Sequence, residues 1–199
     1  MTAPGVVTTV AGPEHASALA ALFERADVPC HCRYYHFEGN ANAWLDRCFH
    51  HVAENRDEMA RGLAAHSEDT LGVIALSGEA VIGWLKITWA SAVPRLYAQR
   101  LYKNLPCFSG PRDRVMAIGC TLVDPARRGE GVHHALLDEA LRLARARGAT
   151  AVEAFPRRAE GLRDAEVWTG PLSAFLARGF EIVNDFAPYP VLRKVVETP

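Results

Sequence analysis

The chain has 199 residues, of which 49% are hydrophobic and 23% charged, and its formal net charge is −1. This length suits one hydrophobic core, so we expect a single domain over residues 1–199. The near-neutral charge argues against nucleic acid as a partner, and five cysteines, an odd number, do not indicate a disulfide framework. There is no long apolar run and no signal-like N-terminus, so we expect no membrane association and predict a cytoplasmic location.

The first half of the chain alternates short strand-like and helix-like segments. A β-branched run at residues 6–10 predicts a strand, and residues 13–26 carry apolar side chains at helical spacing after a Pro-Glu start signal. Residues 55–65 predict a second helix. Residues 71–76 and 80–89 predict two strands, and the Ser-Gly-Glu sequence between them is typical of a hairpin turn.

The second half contains a long uncharged segment followed by an amphipathic one. Residues 91–114 form an insertion rich in Arg, Tyr, Pro and Lys, with weak helical character. Residues 115–123 contain no charge and suit a strand buried on both faces. From Val132 onwards apolar residues recur every three or four positions, which predicts a helix that ends at Gly148. Three further strands are predicted at residues 151–155, 182–185 and 190–196.

The sequence Arg-Arg-Gly-Glu-Gly connects the uncharged strand to this helix, and such a loop is suited to binding an anion. The first turn of a helix has unpaired N–H groups and the positive end of the helix dipole. Glycines let the backbone approach an anion closely, and the two arginines add positive charge beside it. The competing interpretation is an ordinary turn in which the glycines serve geometry alone.

Two familiar phosphate loops fit the connection poorly. A P-loop needs Lys-Ser/Thr after its last glycine, whereas Val132 and His133 stand there. A dinucleotide fingerprint needs a third glycine at the position of His134, although Glu153 lies at a suitable distance downstream. The sequence therefore favours a different kind of phosphate site.

The segment from Val123 to Val132 resembles the acyl-CoA loop of the GNAT acetyltransferase superfamily, which has an Arg/Gln-x-x-Gly-x-Gly/Ala signature. Arg128 and Gly131 match that signature, whereas His133 replaces its last small residue. Residues 175–180, which end in Gly-Phe, are similar to the closing helix of the same family. The resemblance implies an α/β (α+β) fold. Its central sheet would be mixed, mainly antiparallel, flanked by helices, and splayed at the strand before the loop.

The resemblance also implies that the chain transfers an acyl group from acetyl-CoA to an amine. The residues that it assigns to cofactor binding are Leu122, Val123, Arg127, Arg128, Gly129, Glu130, Gly131, Val132 and His133. Family members often use a tyrosine to protonate the leaving thiolate, but Phe175 stands at that position. Candidates for the acid and base are therefore Glu153, Tyr189 and Ser173, or ordered water. For Glu153, a solvated strand-end carboxylate is the favoured interpretation. Cys120 as an acyl nucleophile is less favoured, because burial in an apolar strand raises a thiol pKa.

The segment from Cys30 to Phe37 has an unusual composition, and we weigh two interpretations of it. Its cysteines and histidines would supply zinc ligands, but no second cysteine pair accompanies them, so we expect no metal. The favoured interpretation is a lid over the acceptor pocket, similar to a Cys-aromatic-Cys segment in one bacterial GNAT subgroup. Candidate substrate contacts are Cys30, Cys32, Tyr34 and Trp84.

The resemblance therefore implies an N-acetyltransferase that moves an acetyl group by direct attack of a small-molecule or peptide amine. The alternative is a catalytically silent acyl-CoA-binding module. Phe175 favours this alternative, because it stands where family members often have a tyrosine. A thiol or metal sensor built on Cys30 and Cys32 is a weaker third hypothesis. The expected oligomeric state is a monomer or a homodimer.

Overall fold

The computed structural model describes residues 5–163 and 166–196. Its strands are β1 (Val6–Val10), β2 (Gly72–Ser77), β3 (Ala80–Trp89), β4 (Val115–Val123), β5 (Ala151–Ala154), β6 (Glu181–Asn184) and β7 (Val191–Val195). Its helices are α1 (Ala16–Arg25), α2 (Ala41–His50), α3 (Val52–Ala64), α4 (Pro94–Tyr97), α5 (Val132–Ala146) and α6 (Leu172–Leu176). Within the described part of the chain, no helix is both long and apolar enough to cross a bilayer.

One seven-stranded sheet organises these elements, with the strand order β1-β2-β3-β4-β5-β7-β6. Only the β4–β5 pair is parallel, because α5 carries the chain back between them; every other pair in the described sheet is antiparallel. Strand β4 is buried along most of its length, in agreement with its uncharged sequence. The predicted mixed, mainly antiparallel sheet flanked by helices is confirmed.

The two faces of the sheet carry different layers. Helix α5 packs on one face, where Leu136, Leu137 and Ala140 meet Leu85 and other apolar strand residues in the largest hydrophobic cluster. Helices α1 and α3 cover the opposite face, with Leu22 and Met59 in a second cluster. Strand β4 therefore contributes side chains to both layers.

Strands β4 and β5 pair over only four residues, and beyond them the two strands separate. Val115–Ile118 pairs with Ala151–Ala154, whereas the rest of β4 stays paired with β3 alone. The β3–β4 register shifts between Lys86 and Ile87, so that Gly119 is an extra residue on β4, as in a β-bulge. The predicted splay at the strand before the loop is thus present, and it opens the sheet beside the start of α5.

Two helical features differ from the sequence prediction. Helix α2 was not predicted, although its apolar periodicity is similar to that of α1. Asn40 caps it by accepting a hydrogen bond from the N–H of Ala43 (2.9 Å), and Trp44 is its only buried residue. The insertion at residues 91–114 contains the single α-helical turn of α4, which begins at Pro94, and a 3₁₀ turn at Pro106–Phe108.

Candidate active site

A cleft of about 1360 Å³ lies where β4 separates from β5, between the first turn of α5 and the segment after α1. It brings together residues that are far apart in sequence. Its walls are formed by residues 26–30, Tyr34, Trp44, residues 120–123, Pro125, residues 127–129, residues 131–134, Arg163, Val167, Trp168 and Pro171. The loop at residues 127–131, here called the anion loop, and the segment that begins at Cys30 therefore share one cavity.

The first turn of α5 forms one end of this cleft. Gly131 is its N-cap residue, with φ of 79°, and Gly129 has φ of 80°, a left-handed conformation that non-glycine residues adopt at a cost. Gly131 has no side chain that could accept hydrogen bonds from the N–H groups of the first turn, so these donors remain available to an anion. Arg127 pairs with Glu130 (2.7 Å), which neutralises the one carboxylate within the loop.

The position of this turn depends on a glycine in β3. A Cβ at Gly83 would lie 2.8 Å from the Cγ1 atom of Val132 and 2.9 Å from the Cδ1 atom of Leu136. Both distances are shorter than van der Waals contact, so the helix can lie this close to the sheet only above a glycine. Val132 is buried there and serves packing as well as lining the cleft.

His133 lies in the wall beside the anion loop. Both nitrogens of its ring are buried without a hydrogen-bond partner, and the ring packs edge-on against Phe175 with 5.8 Å between centroids. Burial and the neighbouring His134 and Arg178 lower the pKa of His133 to about 4, so the ring is neutral at physiological pH. A neutral imidazole with unused polar atoms is suited to contact a polar ligand in the cleft.

The separated end of β4 forms the floor of the cleft. The N–H of Thr121 donates to the carbonyl of Trp168 (2.7 Å), whereas the N–H of Asp124 donates to Ile82 of β3 (2.9 Å). Backbone N–H groups alternate between the two edges of a strand. The N–H of Val123 therefore faces the same open edge as that of Thr121, and the N–H of Leu122 faces β3.

The opposite end of the cleft is aromatic. Tyr34 and Trp44 meet edge-on, with 5.5 Å between ring centroids, and Trp168 contacts Tyr35 at 6.2 Å. Cys30 and Cys120 complete this end. It is thus an apolar chamber connected directly to the anion loop.

A family model described as the acetyltransferase (GNAT) family matches residues 32–162, which is more than half of the chain. The chain belongs to the GNAT acetyltransferase family. The predicted family and the predicted acyltransferase class are therefore confirmed. A search of curated proteins finds no match.

Solved structures of low sequence identity share the fold of this acetyltransferase. The PaiA N-acetyltransferase of Thermoplasma acidophilum in complex with coenzyme A is 9% identical, with a TM-score of 0.55 and coverage of 96% of this chain and 98% of that one. A putative acetyltransferase of Salmonella typhimurium with its cofactor acetyl-CoA is 12% identical, with a TM-score of 0.55 and coverage of 97% and 95%. An N-acetyltransferase of Staphylococcus aureus Mu50 is also 12% identical, with a TM-score of 0.55 and coverage of 96% and 99%.

Most residues predicted to bind the cofactor of the acetyltransferase line the cleft. Leu122, Val123, Arg127, Arg128, Gly129, Gly131, Val132 and His133 do so, whereas Glu130 pairs with Arg127 at the loop surface. Among the predicted substrate contacts, Cys30 and Tyr34 line the chamber. Cys32 is buried just beneath it and is 5% exposed.

Trp84 does not reach the cleft, in contrast to the sequence interpretation. Its side chain is fully buried in the cluster under α1 and α3. The reason is its place on β3, where its face of the sheet is covered by those helices. Trp44 and Trp168 do line the chamber, but nothing in their local sequence distinguishes them from packing residues.

Glu153 is neither a catalytic group in the cleft nor a solvated carboxylate. It is fully buried at the closed part of the β4–β5 pair, opposite Ala117. It accepts hydrogen bonds from Arg112 (2.7 Å), Arg193 (2.6 Å) and the hydroxyl of Tyr97 (2.6 Å). These partners satisfy the carboxylate internally, and Glu153 is not among the residues that line the cleft.

The other two catalytic candidates also lie away from the chamber. Tyr189 packs in the cluster that contains Tyr35 and Phe155, and Ser173 is exposed on α6. Neither lines the cleft. In the described part of the chain, no group of three or more His, Cys, Asp or Glu residues is placed to hold a metal ion.

Proposed function

We propose that the protein transfers an acetyl group from acetyl-CoA to the primary amine of a small molecule or peptide, by direct attack of the amine on the thioester. The observation that carries this proposal is the single cleft that joins the open first turn of α5 to an aromatic chamber. Family membership supplies the reaction class. Two of the structural neighbours are complexes with coenzyme A or acetyl-CoA, which supports the same donor here.

The diphosphate of acetyl-CoA is bound by the N–H groups at the start of α5, with the guanidinium groups of Arg128 and of Arg127, which is paired with Glu130, nearby. Three features of the protein fit this anion: the two left-handed glycines, the absent N-cap side chain and the unused nitrogens of His133. The open edge of β4 at Val123 offers a backbone N–H to the polar groups of the pantetheine arm.

The acceptor amine enters from the aromatic chamber. Direct transfer requires the amine nitrogen and the thioester carbon to be held together, and such positioning supplies much of the rate in two-substrate reactions. Asp27 is the one carboxylate among the described residues that line the cleft. The chamber therefore favours an amine with an apolar or aromatic body.

The substitution Gly131→Glu tests the donor site. It places a carboxylate at the proposed anion position and adds about 1 kcal/mol of backbone strain, because φ is 79° there. Gly78→Glu is the matched control: Gly78 has φ of 61°, no atom lies within 4 Å of its Cβ position, and it is in the exposed β2–β3 turn. We expect at least a 100-fold loss of acetyl-CoA affinity by calorimetry for the first variant only.

Acetyl-CoA consumption with a panel of amines then tests the reaction. Turnover with at least one amine supports the transferase, whereas tight acetyl-CoA binding without turnover supports the silent binding module. The argument for the silent module is that Phe175 has no hydroxyl group to protonate the leaving thiolate. Unchanged affinity in Gly131→Glu would contradict the donor site. A single domain over residues 1–199, a cytoplasmic location and a monomeric or homodimeric state stay predictions.

A further inference from the structure

Two segments that form part of the wall of the aromatic chamber lie outside the central sheet. One is the segment at residues 29–37, which contributes Cys30 and Tyr34, and the other is α2, which contributes Trp44. Neither segment contains a strand, so the hydrogen bonds of the sheet do not fix its place. The positions of these walls therefore depend on side-chain contacts with the rest of the protein.

Helix α3 contacts both segments through two polar side chains that lie one turn apart. The amide of Asn55 donates to the main-chain carbonyl of Pro29 (3.0 Å). The carboxylate of Glu58 accepts from Arg33 with one oxygen (2.6 Å) and from Arg47 of α2 with the other. Glu58 thus joins the two walls of the chamber to one helix.

The two arginines are next to the aromatic residues that face the chamber. Arg33 directly precedes Tyr34, and Arg47 follows Trp44 by three positions, which is about one turn of α2. Tyr34 and Trp44 meet edge-on, with 5.5 Å between their ring centroids. Neither Glu58 nor the arginines line the cleft, so the carboxylate acts on the chamber only by fixing where these two rings lie.

The segment that α3 holds has a strained backbone. His31 and Cys32 have φ of 41° and 58°, a left-handed conformation that residues with a Cβ atom adopt at a cost. Both lie between Pro29 and Arg33, the two positions that α3 contacts. These contacts keep the strained conformation in place, so the loss of one of them releases the segment.

The charges of this cluster show which contact is a link between segments. Arg33 is almost completely buried and also pairs with Asp69 (2.5 Å), whereas Arg47 also lies 3.6 Å from Glu54. Burial by itself raises the pKa of Glu58, but the hydrogen bonds from both arginines outweigh it and hold that pKa below its usual range. Removal of the charge at Glu58 therefore separates the two walls but leaves each arginine another carboxylate.

We propose that Glu58 is a positioning residue for the acceptor: it fixes the separation of Tyr34 and Trp44 and, with it, the binding of the amine. This assignment rests on the proposed function, because it concerns the acceptor half of the same cleft. The donor half, at the start of α5, is formed by other segments. Glu58 therefore affects the amine and leaves acetyl-CoA binding unchanged.

The first experiment compares both substrates in Glu58→Gln, which keeps the shape of the side chain and removes its charge. With the best amine of the panel, we expect kcat/KM to fall by about 10- to 100-fold, chiefly through KM, since a misplacement of about 1 Å costs up to about 10²-fold. Acetyl-CoA affinity by calorimetry should stay within about twofold, because the two sites are independent.

Glu54→Gln is the matched control for this experiment. Glu54 lies on the same helix and also pairs with Arg47, but it is exposed and does not contact Arg33. We expect the kinetics of this variant to equal those of the unaltered protein. Unchanged amine kinetics in Glu58→Gln would overturn the proposal. Equal losses for the amine and for acetyl-CoA would also overturn it, because a purely structural role affects both sites together.

The second experiment is a double-mutant cycle with Arg47→Met, which keeps the apolar stem and removes the same link from the other side. It also provides a second variant if Glu58→Gln does not fold. Each single change should raise the KM for the amine, and the double variant should be no worse than the more damaging single one, because both changes remove one interaction. Additive effects on the KM would overturn the proposal.

The third experiment measures amide hydrogen exchange and needs no amine. In Glu58→Gln, exchange should become faster in residues 29–37 and 41–50 but not in residues 132–146 of α5, since local opening follows the loss of local contacts. Unchanged exchange in the first two ranges would overturn the proposal. If the unaltered protein acetylates no amine, the proposed function fails and this inference fails with it. If it does acetylate one and Glu58→Gln behaves identically, only the inference fails.

Discussion

Replacing Glu153 by Gln distinguishes a structural carboxylate from a catalytic one. The side chain of Glu153 is 0% exposed and accepts five hydrogen bonds, from Arg112, Arg193 and Tyr97. Glutamine keeps the shape but removes the charge, and its amide nitrogen must face a guanidinium group. Two arginines then lose their common counter-charge at the junction of β4, β5 and β7.

The size of the effect follows from the exposure of the partners. Breaking a fully buried ion pair costs about 3 to 5 kcal/mol. The side chains of Arg112 and Arg193 are 23% and 28% exposed, so water partly replaces the lost charge and the cost lies near the lower value. For 199 residues, an unfolding entropy of about 2 cal/mol/K per residue converts about 3 kcal/mol into a decrease of roughly 7 °C in Tm.

Thermal and urea unfolding of the variant provide the measurement, together with acetyl-CoA consumption at a temperature where the variant is folded. Glu139→Gln is the matched control: Glu139 is also nearly buried, but its partner Arg142 is 64% exposed, so we expect a loss of less than about 1 kcal/mol. If Glu153→Gln unfolds like the unaltered protein while turnover is lost, the structural assignment is wrong and Glu153 acts in catalysis.

Two further predictions concern stability. Gly170→Ala should destabilise the protein by about 1 to 3 kcal/mol in urea unfolding, because φ is +95° there and the new Cβ would lie 2.7 Å from the ring of Phe175. An unchanged midpoint of urea unfolding would contradict this packing. Burial outweighs the nearby Glu24 and lowers the pKa of His31 from 6.5 to about 4. As the pH decreases, the unfolded chain therefore binds a proton at His31 before the folded protein does. The free energy of unfolding should fall by up to about 3 kcal/mol between pH 6.5 and pH 4. Asn tolerates the left-handed backbone at this position, and His31→Asn should therefore reduce the slope of urea-unfolding free energy against pH; an equal slope would assign the acid sensitivity to other groups.

The anion loop was predictable from the sequence because its determinants are local. An uncharged strand, two glycines and an amphipathic helix follow one another within about 30 residues, and the structure places their junction at the end of the cleft. The mixed sheet and its splay were predicted only through the family resemblance. No periodicity in residues 115–123 shows that β5 pairs with the first half of β4 alone.

The aromatic chamber and the role of Glu153 were not predictable, because distant segments create both. Trp44 and Trp168 line the same cleft although more than 120 residues separate them. Arg112 and Arg193 flank Glu153 from either side in the sequence and reach it only through the fold. A single carboxylate on a strand looks the same in sequence whether it is satisfied internally or directed at a substrate.

Gly83, the glycine beneath the first turn of α5, limits which substitutions this enzyme tolerates between the helix and the sheet. Since Gly83 sets the height of the turn above β3, we expect affinity at the proposed donor site to depend on this buried contact between the helix and the sheet. A random screen for weak coenzyme A binders should recover replacements in this buried interface as readily as replacements in the loop itself. Selection for tighter packing of the helix and selection for donor affinity therefore act on the same few atoms.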